Sequence, residues 1–222
     1  MKHFLIAPSI LSANFSKLGE DVTNVISAGA DILHFDVMDN HYVPNLSMGS
    51  MVLKSLREYG INIPIDVHLM TKPIDQLILD FASVGADYIS FHPETTEHID
   101  RSVELIKEHG CKAGLVFNPS TTLNYLEYLM DKIDLIVLMA VNPGFSGQVF
   151  IPTILKKICK TRKLIDNVNR NIDLSVDGGI NTSNIYEISK AGANLFVIGS
   201  AIFKAPNYHK IINTLRCILS KT

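Results

Sequence analysis

The chain has 222 residues, of which 47% are hydrophobic, and a formal net charge of -2. That length suits a large globular domain. The positive and negative charges are balanced and do not form runs of one sign, which argues against binding to nucleic acid or to a membrane surface. Small molecules are therefore the expected partners. The chain has three widely spaced cysteines and no CxxC pair, which disfavours a disulfide framework or a zinc knuckle. Its apolar runs are too short for a signal sequence or a membrane span. We therefore expect a cytoplasmic protein with reduced thiols.

Eight short runs rich in β-branched residues predict strands along the chain. They are FLIAPS (4–9), ILHFDV (32–37), PIDVHLM (64–70), DYISFH (87–92), KAGLVF (112–117), DLIVLM (134–139), DLSVDG (173–178) and NLFVIGS (194–200). The stretches between them, among them 17–30, 76–86 and 183–193, have apolar residues three or four positions apart and predict amphipathic helices. These three helices close on AGAD, VGAD and AGAN, in which a glycine is placed for a left-handed cap.

Strands that alternate with helices through links of a few residues predict parallel β-α-β units. Eight such units without a composition break predict one domain over residues 1–222, with an α/β fold closed into a (β/α)8 TIM barrel. An open doubly wound sheet is the alternative. It is disfavoured by the number of units and by the lack of a GxGxxG turn after the first strand.

Ionisable side chains occur at strand ends, where barrels of this kind build their active sites. The second predicted strand carries His34 and Asp36, the third carries Asp66 and His68, and the seventh ends at Asp177. One buried histidine is more often a core residue than a ligand, but several ionisable groups on one rim are costly to bury unless they are paired or bind a cation. We therefore expect one divalent transition metal ion, with zinc, iron(II), manganese and cobalt all compatible. The predicted ligands are His34, Asp36, His68 and Asp177. The two aspartates among them lie on well-separated strands and could also move protons on opposite sides of a substrate.

Glycine-rich turns follow the last three predicted strands, as NPGFSGQ (142–148), DGGI (177–180) and GSAIF (199–203). Each of them could be only a tight turn. Glycine, however, lets backbone N–H groups approach an anion closely, and the loops after the seventh and eighth strands are the usual phosphate site of such barrels. Three such turns together favour phosphate binding.

Seven motifs resemble the series of the ribulose-phosphate 3-epimerase family and run in that family's order across nearly the whole chain. They are IAPSILSANF, HFDVMDNHYVPN, IDVHLM, FHPE, VNPGFSGQ, VDGGI and GSAIF. The resemblance implies a metal-dependent barrel enzyme, an isomerase of the epimerase class, that interconverts D-ribulose 5-phosphate and D-xylulose 5-phosphate in the pentose phosphate pathway. It also implies proton transfer by two aspartates through an enediolate that the metal stabilises, and a homo-oligomer, either a dimer or a hexamer.

The resemblance further implies a role for individual residues. Asp36 resembles the proton acceptor and Asp177 the proton donor, and both would also bind the metal beside His34 and His68. The implied substrate contacts are Ser9, His68, Gly144, Phe145, Ser146, Gly147, Asp177, Gly178, Gly179, Gly199 and Ser200. A methionine cap over the substrate would consist of Met38, Met70 and Met139.

Four polar residues have weaker assignments. Ser175 stands where many family members have a glutamate, which puts a contact from that position in doubt, and we expect a water or a neighbouring side chain in the space. His41 is expected in a solvated loop. His92 and Asp66 are expected only to hydrogen-bond within the barrel.

Three other functions stay open on the sequence. A six-carbon enzyme, D-allulose-6-phosphate 3-epimerase, would share the chemistry with a slightly roomier pocket. A Schiff-base aldolase, or a related decarboxylase with DxK where this chain has DVH, would need a lysine that the strand ends lack. A non-catalytic phosphate-binding module would leave the opposed aspartates and the histidines without a purpose.

Overall fold

Eight parallel strands alternate with helices in the computed structural model, which describes residues 4–222. The strands are β1 (Leu5–Pro8), β2 (Leu33–Met38), β3 (Ile65–Met70), β4 (Tyr88–Phe91), β5 (Lys112–Phe117), β6 (Leu135–Met139), β7 (Asp173–Asp177) and β8 (Leu195–Ile198). Their order in the sheet is β1-β8-β7-β6-β5-β4-β3-β2, and a parallel bridge between Ser9 and His34 joins its two ends. The fold is therefore the predicted (β/α)8 TIM barrel, nearly closed.

Alternation along the strands divides the core into two parts, because successive residues face opposite sides of a sheet. Outward residues such as Phe35, Val67 and Ile136 are fully buried in the cluster that packs the sheet against the helices. Inward residues such as Val116 and Val137 pack in a separate cluster inside the barrel. The alternate positions of β2, β3 and β7 are instead polar, namely His34, Asp36, Asp66, His68, Ser175 and Asp177. Ionisable side chains therefore enter an otherwise largely apolar barrel interior from β2 and β3 and, on the far side of β1 and β8, from β7.

Helices cover the outside of the sheet. They are α1 (Leu18–Ser27), α2 (Ser50–Glu58), α3 (Asp75–Ser83), α4 (Ile99–Glu108), α5 (Ile154–Asp166), α6 (Ile185–Ala191), α7 (Ser200–Phe203) and α8 (Tyr208–Leu219). The fifth connection differs from the expected regular unit, because between β5 and β6 the described chain has only a 3-10 helix at Leu123–Leu126. The turn-forming segment 118–122 occupies the start of this connection, and the Thr122 side chain accepts a hydrogen bond from the Asn124 N–H at the beginning of the short helix.

The glycines predicted to end three helices do adopt a positive φ. The angles are 105° at Gly29, 95° at Gly85 and 121° at Gly192. Each glycine turns the chain directly into the next strand, so the short helix-to-strand links were readable from the sequence. Among residues 4–222, no helix combines the length and apolar character that crossing a membrane needs.

Candidate active site

Four potential metal ligands come together at the carboxyl-terminal end of the barrel. Strands β2 and β3 pair with Asp36 opposite His68, and Asp177 is the last residue of β7. One ligand atom from each of these residues and from His34 lies within 4.8 Å of all the others. Both histidines are fully buried, and Asp36 is only 5% exposed. The structure thus brings together the four residues that the sequence singled out.

Distances show which atoms face one another in this cluster. The Nε2 atom of His34 lies 3.4 Å from Oδ1 of Asp36 and 3.8 Å from Oδ2 of Asp177. The Nδ1 atom of His68 lies 3.6 Å and 3.9 Å from the same two oxygens. Neither nitrogen has a hydrogen-bond partner in the described part of the chain, although both are buried. Tetrahedral ligands about 2.1 Å from one ion lie roughly 3.4 Å apart, so this donor set fits a divalent metal.

Two further buried residues contact the imidazole nitrogens that face away from Asp36 and Asp177. The Nδ1 atom of His34 lies 2.8 Å from Oδ2 of Asp66, and Nε2 of His68 lies 2.9 Å from Nε2 of His92. Sequence reasoning expected Asp66 and His92 to hydrogen-bond within the barrel, which is confirmed, but it missed that each one contacts a different histidine of the cluster. A signal existed for Asp66, because it pairs with His34 wherever β2 and β3 are in register.

Burial and mutual charge shift the pKa values of the cluster in opposite directions. Burial lowers the pKa of His34, but the carboxylates of Asp36 and Asp66 outweigh it and raise this pKa well above its usual value. Burial raises the pKa of Asp36, yet the adjacent imidazoles of His34 and His68 outweigh it and hold this pKa well below its usual value. Asp36 is therefore the readily ionised carboxyl of the two.

Asp177 has the opposite property. Burial raises its pKa to about 6, partly offset by the imidazole of His34 and reinforced by the carboxylate of Asp36. The pKa of His92 is lowered well below its usual value by burial and then by His68. Two carboxyl groups of the same cluster thus differ in their readiness to hold a proton, as acid and base pairs of enzymes do.

A cavity of about 530 Å³ opens beside the four ligands. It is lined by Ser9, Asp36 and Asp177, and the Ser9 hydroxyl donates a 2.5 Å hydrogen bond to Oδ2 of Asp36. The predicted phosphate contacts also line it, namely Gly144, Phe145, Ser146, Gly147, Gly178, Gly179, Gly199 and Ser200. Among the predicted substrate contacts only His68 is not in the wall, because it is fully buried and lies within the metal cluster.

A close backbone approach explains the glycine at position 179. Its φ of +66° is in the left-handed region, and a Cβ atom there would lie 2.4 Å from the backbone nitrogen of Phe150. A side chain at this position would therefore push the loop after β6 away from the loop after β7. Glycine keeps the two loops together on one side of the cavity.

The loop after β2 connects the predicted methionine cap to the loop after β6. Val43 packs against Met38 and Met70, and the amide of Asn45 donates a 2.6 Å hydrogen bond to the carbonyl oxygen of Gly144. All three cap residues, Met38, Met70 and Met139, are buried and line the cavity. Their position in the cavity wall is compatible with the cover over the substrate that the resemblance implies, and that role stays a prediction.

The remaining sequence predictions concern Ser175 and His41. Ser175 is fully buried, and its Oγ atom has no hydrogen-bond partner among residues 4–222. A water or a neighbouring side chain in the space left by the glutamate stays a prediction. The side chain of His41 is 72% exposed, which confirms its expected place in a solvated loop.

Comparisons with known proteins agree with the geometry. Residues 5–203 match the Ribulose-phosphate 3 epimerase family. A ribulose-phosphate 3-epimerase from Serratia marcescens is 65% identical over 95% of this chain and 100% of its own length, and one from Escherichia coli K12 is 62% identical over 100% of this chain and 98% of its own.

A solved structure extends the likeness to the fold alone. Orotidine 5'-phosphate decarboxylase from Pyrococcus horikoshii OT3 superposes with a TM-score of 0.69 over 97% of this chain and 99% of its own, at 18% identity. The family match and the two close relatives are decisive, and the chain therefore belongs to the ribulose-phosphate 3-epimerase family, whose members are isomerases that act on carbohydrates.

Proposed function

We propose that the chain inverts C3 of D-ribulose 5-phosphate to give D-xylulose 5-phosphate, with Asp36 and Asp177 as proton carriers and one divalent metal ion held beside them. The observation that carries this proposal is the convergence of four ligand atoms within 4.8 Å, next to a cavity lined by glycine-rich loops. Family membership supports the epimerase reaction. The geometry of the ligand cluster and of the cavity supports the metal, the two-aspartate mechanism and the roles of single residues.

The proposed ligands are Nε2 of His34, Nδ1 of His68 and one carboxylate oxygen each from Asp36 and Asp177. Burial of the two unpaired nitrogens supports this assignment, since such atoms are costly to leave without a partner. When bound, a divalent ion would supply a Lewis acid that stabilises the negative charge developing on the C2 and C3 oxygens of the sugar. The donor set is compatible with zinc, iron(II), manganese or cobalt.

Proton transfer is assigned to the two aspartates that border the cavity. The C3 proton of a 2-ketose is acidic because the adjacent carbonyl accepts charge, so a carboxylate on one face can remove it. Asp36 suits that step, since its low pKa keeps it ionised and Ser9 orients its second oxygen. Asp177 suits the return of a proton on the other face, since burial raises its pKa to about 6 and it therefore binds a proton far more readily than Asp36 does. Delivery to the opposite face inverts C3.

The substrate phosphate is assigned to the backbone of three loops, around residues 144–147, 178–179 and 199–200. Their approach to one cavity supports this assignment. Backbone N–H groups can surround an anion without adding charge, and binding a remote phosphate can hold the reacting carbon in place. Ser9 would orient the sugar close to Asp36.

Metal removal tests the proposal directly. Protein purified with its metal, stripped with a chelator and assayed on D-ribulose 5-phosphate with a xylulose 5-phosphate coupling system is expected to lose its turnover. Addition of zinc, manganese, cobalt or iron(II) should restore it. Full turnover by protein shown to be metal-free by elemental analysis would exclude the metal role.

A six-carbon substrate, D-allulose 6-phosphate, is the second candidate, because the same two carboxylates and phosphate loops would serve it. The relatives from Serratia marcescens and Escherichia coli K12 are both named ribulose-phosphate 3-epimerase, which favours the five-carbon sugar. Competition between the two sugar phosphates in one reaction distinguishes them. We expect a higher kcat/KM for D-ribulose 5-phosphate, and the reverse ranking would reassign the substrate.

A further inference from the structure

The two histidines of the proposed metal site face the carboxylates with different nitrogens. His34 presents Nε2, and its Nδ1 atom lies 2.8 Å from Asp66. His68 presents Nδ1, and its Nε2 atom lies 2.9 Å from Nε2 of His92. A neutral imidazole carries its single proton on one nitrogen only, so the partner at the back of each ring decides which nitrogen can bind a metal.

The partner of His34 fixes the tautomer of its ring, whereas the partner of His68 allows either tautomer. A carboxylate such as that of Asp66 only accepts, so a neutral His34 ring donates from Nδ1 and keeps its lone pair on Nε2. Between two imidazoles, either ring can be the donor. If His92 donated, His68 would carry its proton on Nδ1, which lies 3.6 Å from Asp36, and this proton would block the metal.

We infer that His92 is a positioning residue for the metal ligand His68: its Nε2 atom accepts the proton of the His68 Nε2–H group and so keeps the lone pair of His68 on Nδ1, facing the ion. The inference rests on the metal site of the proposed function. Second partners of this kind fix both the tautomer and the ring orientation of a ligand.

The surroundings of His92 hold its ring at the required place. It follows β4 directly and is fully buried, and the ring of Tyr42 lies against it with a centroid distance of 4.7 Å. The Tyr42 hydroxyl accepts a 2.6 Å hydrogen bond from the side-chain amide of Asn118. Because Tyr42 belongs to the loop after β2, this loop supports the metal site as well as the methionine cap.

A neutral acceptor also limits the negative charge of the site. Asp36, Asp66 and Asp177 already surround the two imidazoles, and a fourth buried carboxylate would have no matching cation. An imidazole at position 92 supplies an acceptor without this charge. The site is thus built with one anionic and one neutral partner for its two histidines.

Zinc affinity of matched variants tests the role. His92→Phe keeps a ring beside Tyr42 but has no acceptor, whereas His92→Gln retains an acceptor oxygen within reach of His68. Ser90→Ala is the control, since Ser90 is a fully buried residue of β4 whose hydroxyl makes only a 3.4 Å contact with the carbonyl oxygen of Val67. Zinc is titrated against a competing chelator, and thermal unfolding of each metal-free protein checks that it is folded.

We expect His92→Phe to bind zinc about 10–100-fold more weakly than the wild type, and His92→Gln and Ser90→Ala to stay within a few-fold of it. Equal affinity of His92→Phe and the wild type would overturn the role of His92 alone. A wild-type protein that holds no zinc would instead overturn the proposed metal site, and this inference with it.

Tautomers in the wild-type protein give a second test that does not depend on the folding of His92→Phe. Long-range proton–nitrogen spectra of the zinc-loaded protein, labelled with 15N-histidine, distinguish Nδ1–H from Nε2–H rings, and His92→Gln assigns the His92 signal. We expect Nδ1–H for His92 and Nε2–H for His68. A His92 ring protonated on Nε2 would overturn the inference even if the His92→Phe variant did not fold.

Discussion

Replacing Asp177 by asparagine should stabilise the metal-free protein while it destroys the proposed proton donor. Burial raises the pKa of Asp177 from its ordinary value of 3.8 to about 6. Since one pKa unit corresponds to about 1.4 kcal/mol, keeping this carboxyl ionised in the folded protein at pH 8 costs about 3 kcal/mol. Asparagine has nearly the same shape and no charge, so the Asp177→Asn variant avoids that cost.

The sign of the effect sets its pH window. Between pH 4 and 6 the folded state binds more protons at Asp177 than the unfolded state does, so the wild-type protein loses stability as the pH rises through this range. The advantage of Asp177→Asn should therefore be absent below about pH 4, grow up to pH 6 and level off above it. For a chain of this size, 3 kcal/mol corresponds to a Tm about 6–12 °C higher.

Thermal and urea unfolding of chelator-treated wild type and variant, from pH 4 to pH 8, measure this difference. Asp36→Asn is the matched control with the opposite sign, because neighbouring imidazoles hold the pKa of Asp36 low and its ionised form stabilises the fold. Added zinc should stabilise the wild type more than Asp177→Asn, which has lost a ligand. An Asp177→Asn protein that is less stable than the wild type at pH 8 without metal, or an advantage that does not change with pH, would refute the reasoning.

Three further outcomes are expected. Asp36→Asn and Asp177→Asn should each lower the rate of epimerisation at least about 100-fold. In heavy water, the variant that retains the base for a given epimer should still exchange the C3 proton of that epimer for deuterium. A metal-loaded variant that epimerises at the wild-type rate would contradict the two-carboxylate mechanism. Unphosphorylated D-ribulose should show at least about 100-fold lower kcat/KM than its 5-phosphate, because hydrogen bonds to a charged group contribute about 1.5–3 kcal/mol each. Equal values of kcat/KM for the two sugars would exclude a phosphate site. Gly179→Ala, whose Cβ atom would lie 2.4 Å from the nitrogen of Phe150, should lower kcat/KM by at least about 10-fold more than Gly110→Ala. Gly110 has a similarly positive φ of 79° but lies outside the cavity, and a Cβ atom there would meet nothing within 4 Å. Equal losses of the two variants in steady-state kinetics would argue against the loop contact.

The sequence by itself determined the barrel and the membership of the site. A strand repeats its side-chain direction every two residues, so His34 and Asp36 had to share one face, and so did Asp66 and His68. Parallel strands in a barrel bring their carboxyl ends to one rim, which placed Asp177 with them. The sequence also predicted where three helices end, since the glycines at these ends adopt the expected positive φ. The prediction of a regular helix in the fifth connection was wrong, because the described chain has only a 3-10 helix there.

Only the tertiary structure decided which atoms face one another. The alternation of β2 and β3 allows either ring nitrogen of His34 and His68 to point at the carboxylates, and the choice depends on χ angles that the surrounding side chains fix. The contact of His92 with His68, and the packing of Tyr42 on His92, join residues from three separate segments of the chain. The opposite pKa shifts of Asp36 and Asp177 have the same origin, because burial and the distance to each neighbouring charge exist only once the chain is folded.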